Sequence, residues 1–357
     1  MTVAQSFRAR LTGPAWGHIG PVRVDALARY GLAVGAAIAV FSLIILMDGT
    51  NPLDTVRLMW DASAGTAFGR NEVLVKLIPF GLCAIAVAIP ARVGLINVGG
   101  EGQFYMGAWA AAGVILYSGA SGWTLLPLAF IAGAAGGGAW AGLVALLRVK
   151  GKVNEAISSL LLNFVAIQFV NYFVYGPWKD PSGPNWPFSA RFPGSAMLPV
   201  VWGDRVSAAI FFVAVGLVAM FLVLRYTRVG FHARVVGGNP LAAERSGIPV
   251  GRYLFWALVV GGAVAGIAGM AEVTGIQGRL RPGISVNYGY IGFLAAWLGG
   301  HRPLGIVLAC LLFGAISVGG DSLQLGLDLP GSTVNILMAL ILFAVLAGRK
   351  NRAGAGA

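Results

Sequence analysis

Residues 95–105 read Leu-Ile-Asn-Val-Gly-Gly-Glu-Gly-Gln-Phe-Tyr, which sets Asn97, Glu101 and Gln103 among Gly99, Gly100 and Gly102. Three glycines in four residues loosen or break a helix. Apolar runs at about 74–91 and 104–119 flank the break. Runs of that length suit helices that cross a bilayer, where freed backbone groups must be buried in protein or line a watery path. The cluster therefore has two readings. It lines a path for a polar solute, or its glycines allow close helix packing around a hydrogen-bonded Glu101.

The rest of the chain supplies the same setting. Of its 357 residues, 57% are hydrophobic and 11% charged, against about 45–50% and about 25% in soluble globular chains. Twenty-five basic and 13 acidic side chains cannot cover a water-soluble fold of this length, which excludes a soluble enzyme and also a disordered chain. The 53 glycines suit helices packed closely in lipid. Apolar runs at about 30–47, 74–91, 104–119, 124–147, 156–176, 206–224, 253–275, 287–300, 303–319 and 332–348 predict an all-α, polytopic helical membrane protein. About ten transmembrane helices follow. The run at 287–300 is short, and 74–103 also reads as one kinked span with a re-entrant piece, so eight or nine stay open. An outer-membrane barrel would show alternating segments instead. The polar start lacks a signal peptide's early apolar core, so 30–47 reads as an uncleaved anchor.

Ten spans put both termini on one side, and the charges choose which. With a cytoplasmic N-terminal tail at 1–29 and a cytoplasmic C-terminal tail at 349–357, inside segments carry 17 basic residues and outside segments eight. Inside acids are only Asp25, Glu155 and Glu244. The excess of cytoplasmic Lys and Arg is what inner-membrane orientation demands. The net charge of +12 is thus an orientation signal, and no groove or helix is left for nucleic acid.

Two acids remain within the spans, Glu101 and Glu272, and intramembrane acids mark pathways or paired sites. Asn163 lies on the span from 156 with Gln168 and Asn171. Asn163 and Asn171, eight residues apart, share a helix face, suited to lining a path or to bonding a neighbouring helix. Asn97-x-Gly99-x-x-Gly102 recurs as Asn287-x-Gly289-x-x-Gly292, and each copy leads to an Ala-Trp pair. The first opens an inside-to-outside span and the second an outside-to-inside one, the relation expected of inverted repeats around a central site. The candidate path is therefore Asn97, Gly99, Gly100, Glu101, Gly102, Gln103, Asn163 and Asn287. No phosphate-binding G-x-x-x-x-G-K-[ST] occurs, and Cys83, Cys310, His18, His232 and His301 are scattered, so neither ATP, a metal nor a cofactor is expected here.

Two loops stand out. At 225–252, Gly237-Gly238-Asn239-Pro240 caps a short helix from Leu241 to Ser246, ended by Gly247 and Pro249. Its apolar face of Leu241, Ala242 and Ala243 is either a peg for a partner's groove or part of a solvated loop. At 177–205, Pro and Gly exclude a long helix, and Trp178, Trp186 and Trp202 anchor at the interface or present a docking surface.

Taken together, Leu-Ile-Asn-Val-Gly-Gly-Glu-Gly-Gln from Leu95, Val-Asn-Glu-Ala-Ile-Ser-Ser from Val153, Gly-Pro-Trp-Lys-Asp-Pro from Gly176 and Gly-Gly-Asn-Pro-Leu-Ala-Ala-Glu-Arg-Ser-Gly-Ile from Gly237 resemble a family. It is the permease subunits of ATP-binding cassette importers of the simple-sugar and branched-chain amino acid type, nucleoside branch. The similarity runs over about 30–348, one transmembrane permease domain. It implies a cytoplasmic ATPase, a second homologous permease in a heterodimer, and an extracytoplasmic lipid-anchored substrate-binding protein. It also implies a coupling segment comprising Asn239, Pro240, Leu241, Ala242, Ala243, Glu244, Arg245, Ser246 and Gly247. The expected function is a non-enzymatic permease of the bacterial inner membrane that moves a nucleoside by alternating access. A simple-sugar permease is the near alternative. A stand-alone ion-coupled transporter or channel, with Glu101 as its ion site, is the distant one.

Overall fold

The computed structural model describes residues 24–47, 49–183, 185–326 and 332–350, with side chains described from residue 35 to 344 apart from those gaps and residue 325. The tails at 1–23 and 351–357, with Arg8, Arg10, His18, Arg23 and Arg352, and also Asp48 and Asp328, lie outside the described residues.

The chain is built of helices. In order they are α1 (Val24–Met47), α2 (Pro52–Trp60), α3 (Ala67–Ala91), α4 (Gly100–Tyr117), α5 (Leu125–Val149), α6 (Glu155–Tyr175), α7 (Ile210–Tyr226), α8 (Arg228–Gly238), α9 (Pro240–Arg245), α10 (Val250–Glu272), α11 (Tyr288–Leu298), α12 (Pro303–Gly326) and α13 (Ser332–Lys350). A two-stranded antiparallel hairpin, β1 (Val200–Trp202) and β2 (Val206–Ser207), interrupts the long 177–209 connection. All ten expected apolar runs are largely helical.

Length and composition give a smaller count of spans than ten. Five stretches are long and apolar enough to cross a membrane: Ala67–Ala91, Gly122–Val149, Glu155–Tyr175, Val250–Gln277 and Pro303–Gln324. They become seven if two bent pairs each count once, Gly35–Met47 with Pro52–Gly65 and Ile210–Tyr226 with Arg228–Gly238. The shortfall has physical causes. Helix α4 opens on Glu101 and Gln103, and α11 has only 11 residues, about 16 Å of helix.

Small residues set the packing. Helix α10 lies against α5, α4 and α3. Gly133 and Gly137 of α5 face Gly262 and Gly266 of α10 so closely that a methyl group at Gly266 would sit 2.1 Å from the Gly133 carbonyl oxygen. Two small-x-x-x-small stripes thus meet backbone to backbone, the usual route to close helix contact in lipid. On α4, Gly107 meets Gly266 in the same way. Gly266→Val should force these three helices apart. Overpacking costs about 1–3 kcal/mol, so the purified protein should unfold at lower temperature than wild type in a thermal-shift assay.

Candidate functional site

The segment 92–99 between α3 and α4 has no regular structure, yet Val93, Leu95, Asn97 and Gly99 are buried. Its backbone N–H groups therefore need partners, and one face of α6 supplies them. Asn154 caps that helix, its side-chain oxygen accepting from Ala156 N–H at 2.9 Å. Positions 155, 159 and 163 then recur every four residues on a single face. Ile96 N–H donates to Glu155 Oε1 (3.2 Å), Val98 N–H to Ser159 Oγ (3.2 Å) and Gly102 N–H to Asn163 Oδ1 (2.8 Å). Asn163 Nδ2 donates back to the Val98 carbonyl (2.9 Å) and to Tyr290 Oη (3.2 Å). Arg148 pairs with Glu155 at 3.2 Å and fixes the base of this ladder.

Asn97 and Gln103 lock the turn from within. Their amides bond reciprocally at 3.0 Å each way, Asn97 Oδ1 also accepts from Gly99 N–H, and Asn97 Nδ2 reaches the Ala86 carbonyl on α3. Both side chains are fully buried. Gly99 and Gly102 leave room for this arrangement, since a side chain at either would strike Ser159 or Asn163 within 3 Å.

Glu101 points the other way, toward α11. Its Oε2 accepts from Gly289 N–H at 2.7 Å, with the Ser285 hydroxyl and Tyr290 N–H alongside, and the residue is 2% exposed. A carboxylate at a helix N-terminus is stabilised by the unpaired N–H groups and the helix dipole. The contact depends on glycine. A side chain at Gly289 would lie 2.1 Å from the Glu101 nitrogen, and Gly100 faces Gly289 as well. The starts of α4 and α11 thus meet head to head inside the bundle, each reached through an irregular segment.

This geometry sorts the candidate residues. Asn97, Gly99, Gly100, Glu101, Gly102, Gln103 and Asn163 come together. Asn287 does not join them by its side chain: it is exposed, makes no capping bond, and contributes a left-handed turn (φ 62°) into α11. The two N-x-G-x-x-G copies therefore agree in helix starts and glycines but differ in what the asparagine does. Asn171 also parts from Asn163, bonding Gln168 at an exposed position. Sequence reading missed Ser159, Tyr290 and the ladder role of Glu155. The spacing 155, 159, 163 opposite a glycine break was the available signal.

The second candidate lies at one end of the bundle. Asn239 Oδ1 caps α9 by accepting from Ala242 N–H (3.1 Å), Pro240 takes its first position, and Gly247 ends it at φ +77°. The expected apolar face divides. Leu241 is 58% exposed and Ala242 exposed, whereas Ala243 is fully buried, because residues two apart on a helix point in different directions. Ala243 shares one apolar cluster with Val93, Leu95, Val144, Ala233, Val236 and Leu258. Much of the expected 225–252 loop is helix α8, capped by Thr227, whose hydroxyl accepts from Gly230 N–H.

Of the loop tryptophans, Trp178 stacks on Trp109 with centroids 5.4 Å apart and planes 2° from parallel, while Trp186 and Trp202 are exposed. Among the described residues, no group of three or more His, Cys, Asp or Glu is placed to hold a metal ion.

Known proteins resemble this chain over most of its length. The family model for the branched-chain amino acid transport system permease component matches residues 70–346. The chain is 35% identical to the glucose ABC transporter permease protein TsgB13 of Haloferax volcanii, covering 97% of this chain and 92% of that protein. It is 29% identical to the guanosine ABC transporter permease protein NupP of Bacillus subtilis (88% and 90% covered). It is 26% identical to the guanosine ABC transporter permease protein NupQ of the same bacterium (77% and 88%).

The ladder makes a thermodynamic prediction. Asn163→Leu leaves Gly102 N–H and the Val98 carbonyl without partners, each orphan costing about 1–3 kcal/mol. Thermal unfolding in detergent should show a larger drop than for Ser159→Ala, which removes a single acceptor.

Proposed function

The chain belongs to the branched-chain amino acid transport system permease family, and from that membership we propose that it imports a neutral solute carrying a sugar ring, a nucleoside first, driven by a separate ABC ATPase. On this reading a substrate-binding protein delivers the solute, and a second, related permease completes a heterodimer in the bacterial inner membrane. The relatives named for guanosine and for glucose support the solute class, since both compounds present uncharged hydroxyl groups on a ring. The two guanosine permeases of one bacterium support the paired arrangement. About ten membrane crossings follow if α4, α11 and α13 each cross with the irregular segments that lead into them.

One observation carries the mechanism. Ala243 of α9 packs in the same cluster as Val93 and Leu95, the residues just before Asn97. A push on the exposed side of α9 therefore passes directly into the segment that holds Glu101 against α11. On this reading α9 is the coupling segment and Leu241, with Ala242 and Arg245, is the surface that meets the ATPase. Both termini are then cytoplasmic. The charges agree with that layout, because the ion pairs Lys76–Asp321 and Arg205–Glu72 join residues expected outside, and Arg148–Glu155 joins residues expected inside. Alternating access follows as a change in how α4 and α11 meet, with Asn97–Gln103 and Asn163 along the path.

The test is uptake by the reconstituted assembly with its ATPase and binding protein. Leu241→Asp changes an exposed side chain and should leave the melting temperature unchanged while lowering ATP-driven uptake about tenfold or more, a loss of about 1.4 kcal/mol in coupling. Glu101→Gln keeps an acceptor for Gly289 N–H but loses the charge, and should also slow uptake. Wild-type uptake in both variants would sink these assignments. Accumulation that follows an ion gradient without ATP would favour the ion-coupled transporter, and competition between guanosine and glucose decides the solute.

A further inference from the structure

At the end of the bundle away from α9, six charges of balanced sign converge without forming part of the Glu101 site. Glu72 and Arg205 pair at 2.9 Å, which ties α3 to the turn of the hairpin. Lys76, one turn further along α3, lies 3.7 Å from Asp321 on α12. Its ammonium also sits 5.7 Å from the centre of the Tyr288 ring, and its charge acts on Glu272, the last residue of α10. The charges of Arg281 and Arg205 act on Glu272 as well. Glu272 is buried, and a π-helical turn at 273–277 brings Gln277 round to donate to it at 2.8 Å, a five-residue spacing that an α-helix would not align. A buried carboxylate needs such company, because removing the cations beside it leaves an uncompensated charge.

The position of Tyr288 gives this cluster its meaning. Tyr288 is the first residue of α11, directly before Gly289, whose N–H holds Glu101. Its ring packs edge-on against Phe80 of α3 and Phe104 of α4, each at 5.7 Å. Lys76 therefore meets α11 and α12 at the one turn where α11 begins, and its charge reaches Glu272 at the end of α10. We propose that Lys76 is a positioning residue that keeps the first turn of α11 seated on Glu101, by holding Tyr288, Glu272 and Asp321 together. It acts through α11 and does not itself meet the solute.

The chain carries its own reporter. Cys83 lies two turns beyond Lys76 on the same helix, is fully buried, and has its β-carbon 2.4 Å from where a side chain at Gly292 would begin. Helix α11 thus rests on Cys83, and lifting its first turn exposes the thiol. The experiment measures the rate at which N-ethylmaleimide modifies Cys83 in the purified full-length chain, with peptide mass mapping to separate it from Cys310. Lys76→Met should raise that rate about threefold or more, on the scale of a partly buried ion pair. Lys76→Arg, which keeps the cation, should bring it back toward wild type. A wild-type rate in Lys76→Met overturns the proposal. So does a Lys76→Arg variant that reacts as fast as Lys76→Met, since that reports general loosening. The inference depends on the import reading only for its purpose. The labelling needs neither ATP nor solute, so it succeeds or fails apart from that reading.

Discussion

Two irregular segments enter the interior of this bundle, and the backbone N–H groups they carry must find acceptors there. Most of the architecture near the site follows from that requirement. Helix α6 offers Glu155, Ser159 and Asn163 on one face to N–H groups of residues 96, 98 and 102. Asn97 and Gln103, both fully buried, bond each other. Glu101 takes an N–H in the first turn of the opposing helix, that of Gly289. Each unmet group would cost about 1–3 kcal/mol, so the amides and the carboxylate hold one another in a single arrangement. Gly99, Gly100, Gly102 and Gly289 serve the same end by letting the backbones come close enough for these bonds to form.

The junction lies between two differently built ends. On one side α9 and α8 cover Val93 and Leu95 with apolar contacts. On the other, Lys76 and its neighbours surround the first turn of α11 with charges. Apolar contacts transmit displacement because packed side chains do not compress. Ion pairs that are partly exposed break and re-form at small cost. On the proposed reading, with the ATPase against α9, this difference gives a firm link at the driven end and a yielding one at the other.

The helical class was written into the composition, and the cluster at 97–103 was visible as a glycine break among apolar residues. Its position, buried and beside a second helix start, was also foreshadowed by the repeated N-x-G-x-x-G. What sequence could not show is which residues close the gap. Gly289 contacts Glu101 across 188 positions and Tyr290 contacts Asn163 across 127, and no local pattern encodes such pairing. Asn287 looked equivalent to Asn97, yet its backbone turn rather than its amide is what α11 uses. Ala243 looked like part of an exposed apolar face because composition alone does not orient a six-residue helix. Lys76 and Asp321 were counted only as loop and end charges, since their meaning lies in α3, α10, α11 and α12 converging.

The polar groups at the junction are almost all neutral amides and hydroxyls, and this bears on what they could pass. In the arrangement described they satisfy one another, Asn97 with Gln103 and Asn163 with Gly102, Val98 and Tyr290. On the proposed reading, parting α4 from α11 frees the Gly289 N–H and the Asn163–Tyr290 bond, while Asn97 and Gln103 keep their bonds on the α3 side. A solute with several hydroxyl groups replaces those bonds at little net cost, because one neutral hydrogen bond is exchanged for another. A charged solute would have to be stripped of water against partners that carry no opposite charge, apart from Glu101, whose acceptor is already engaged. On the proposed reading, these neutral groups suit an uncharged, hydroxyl-rich cargo.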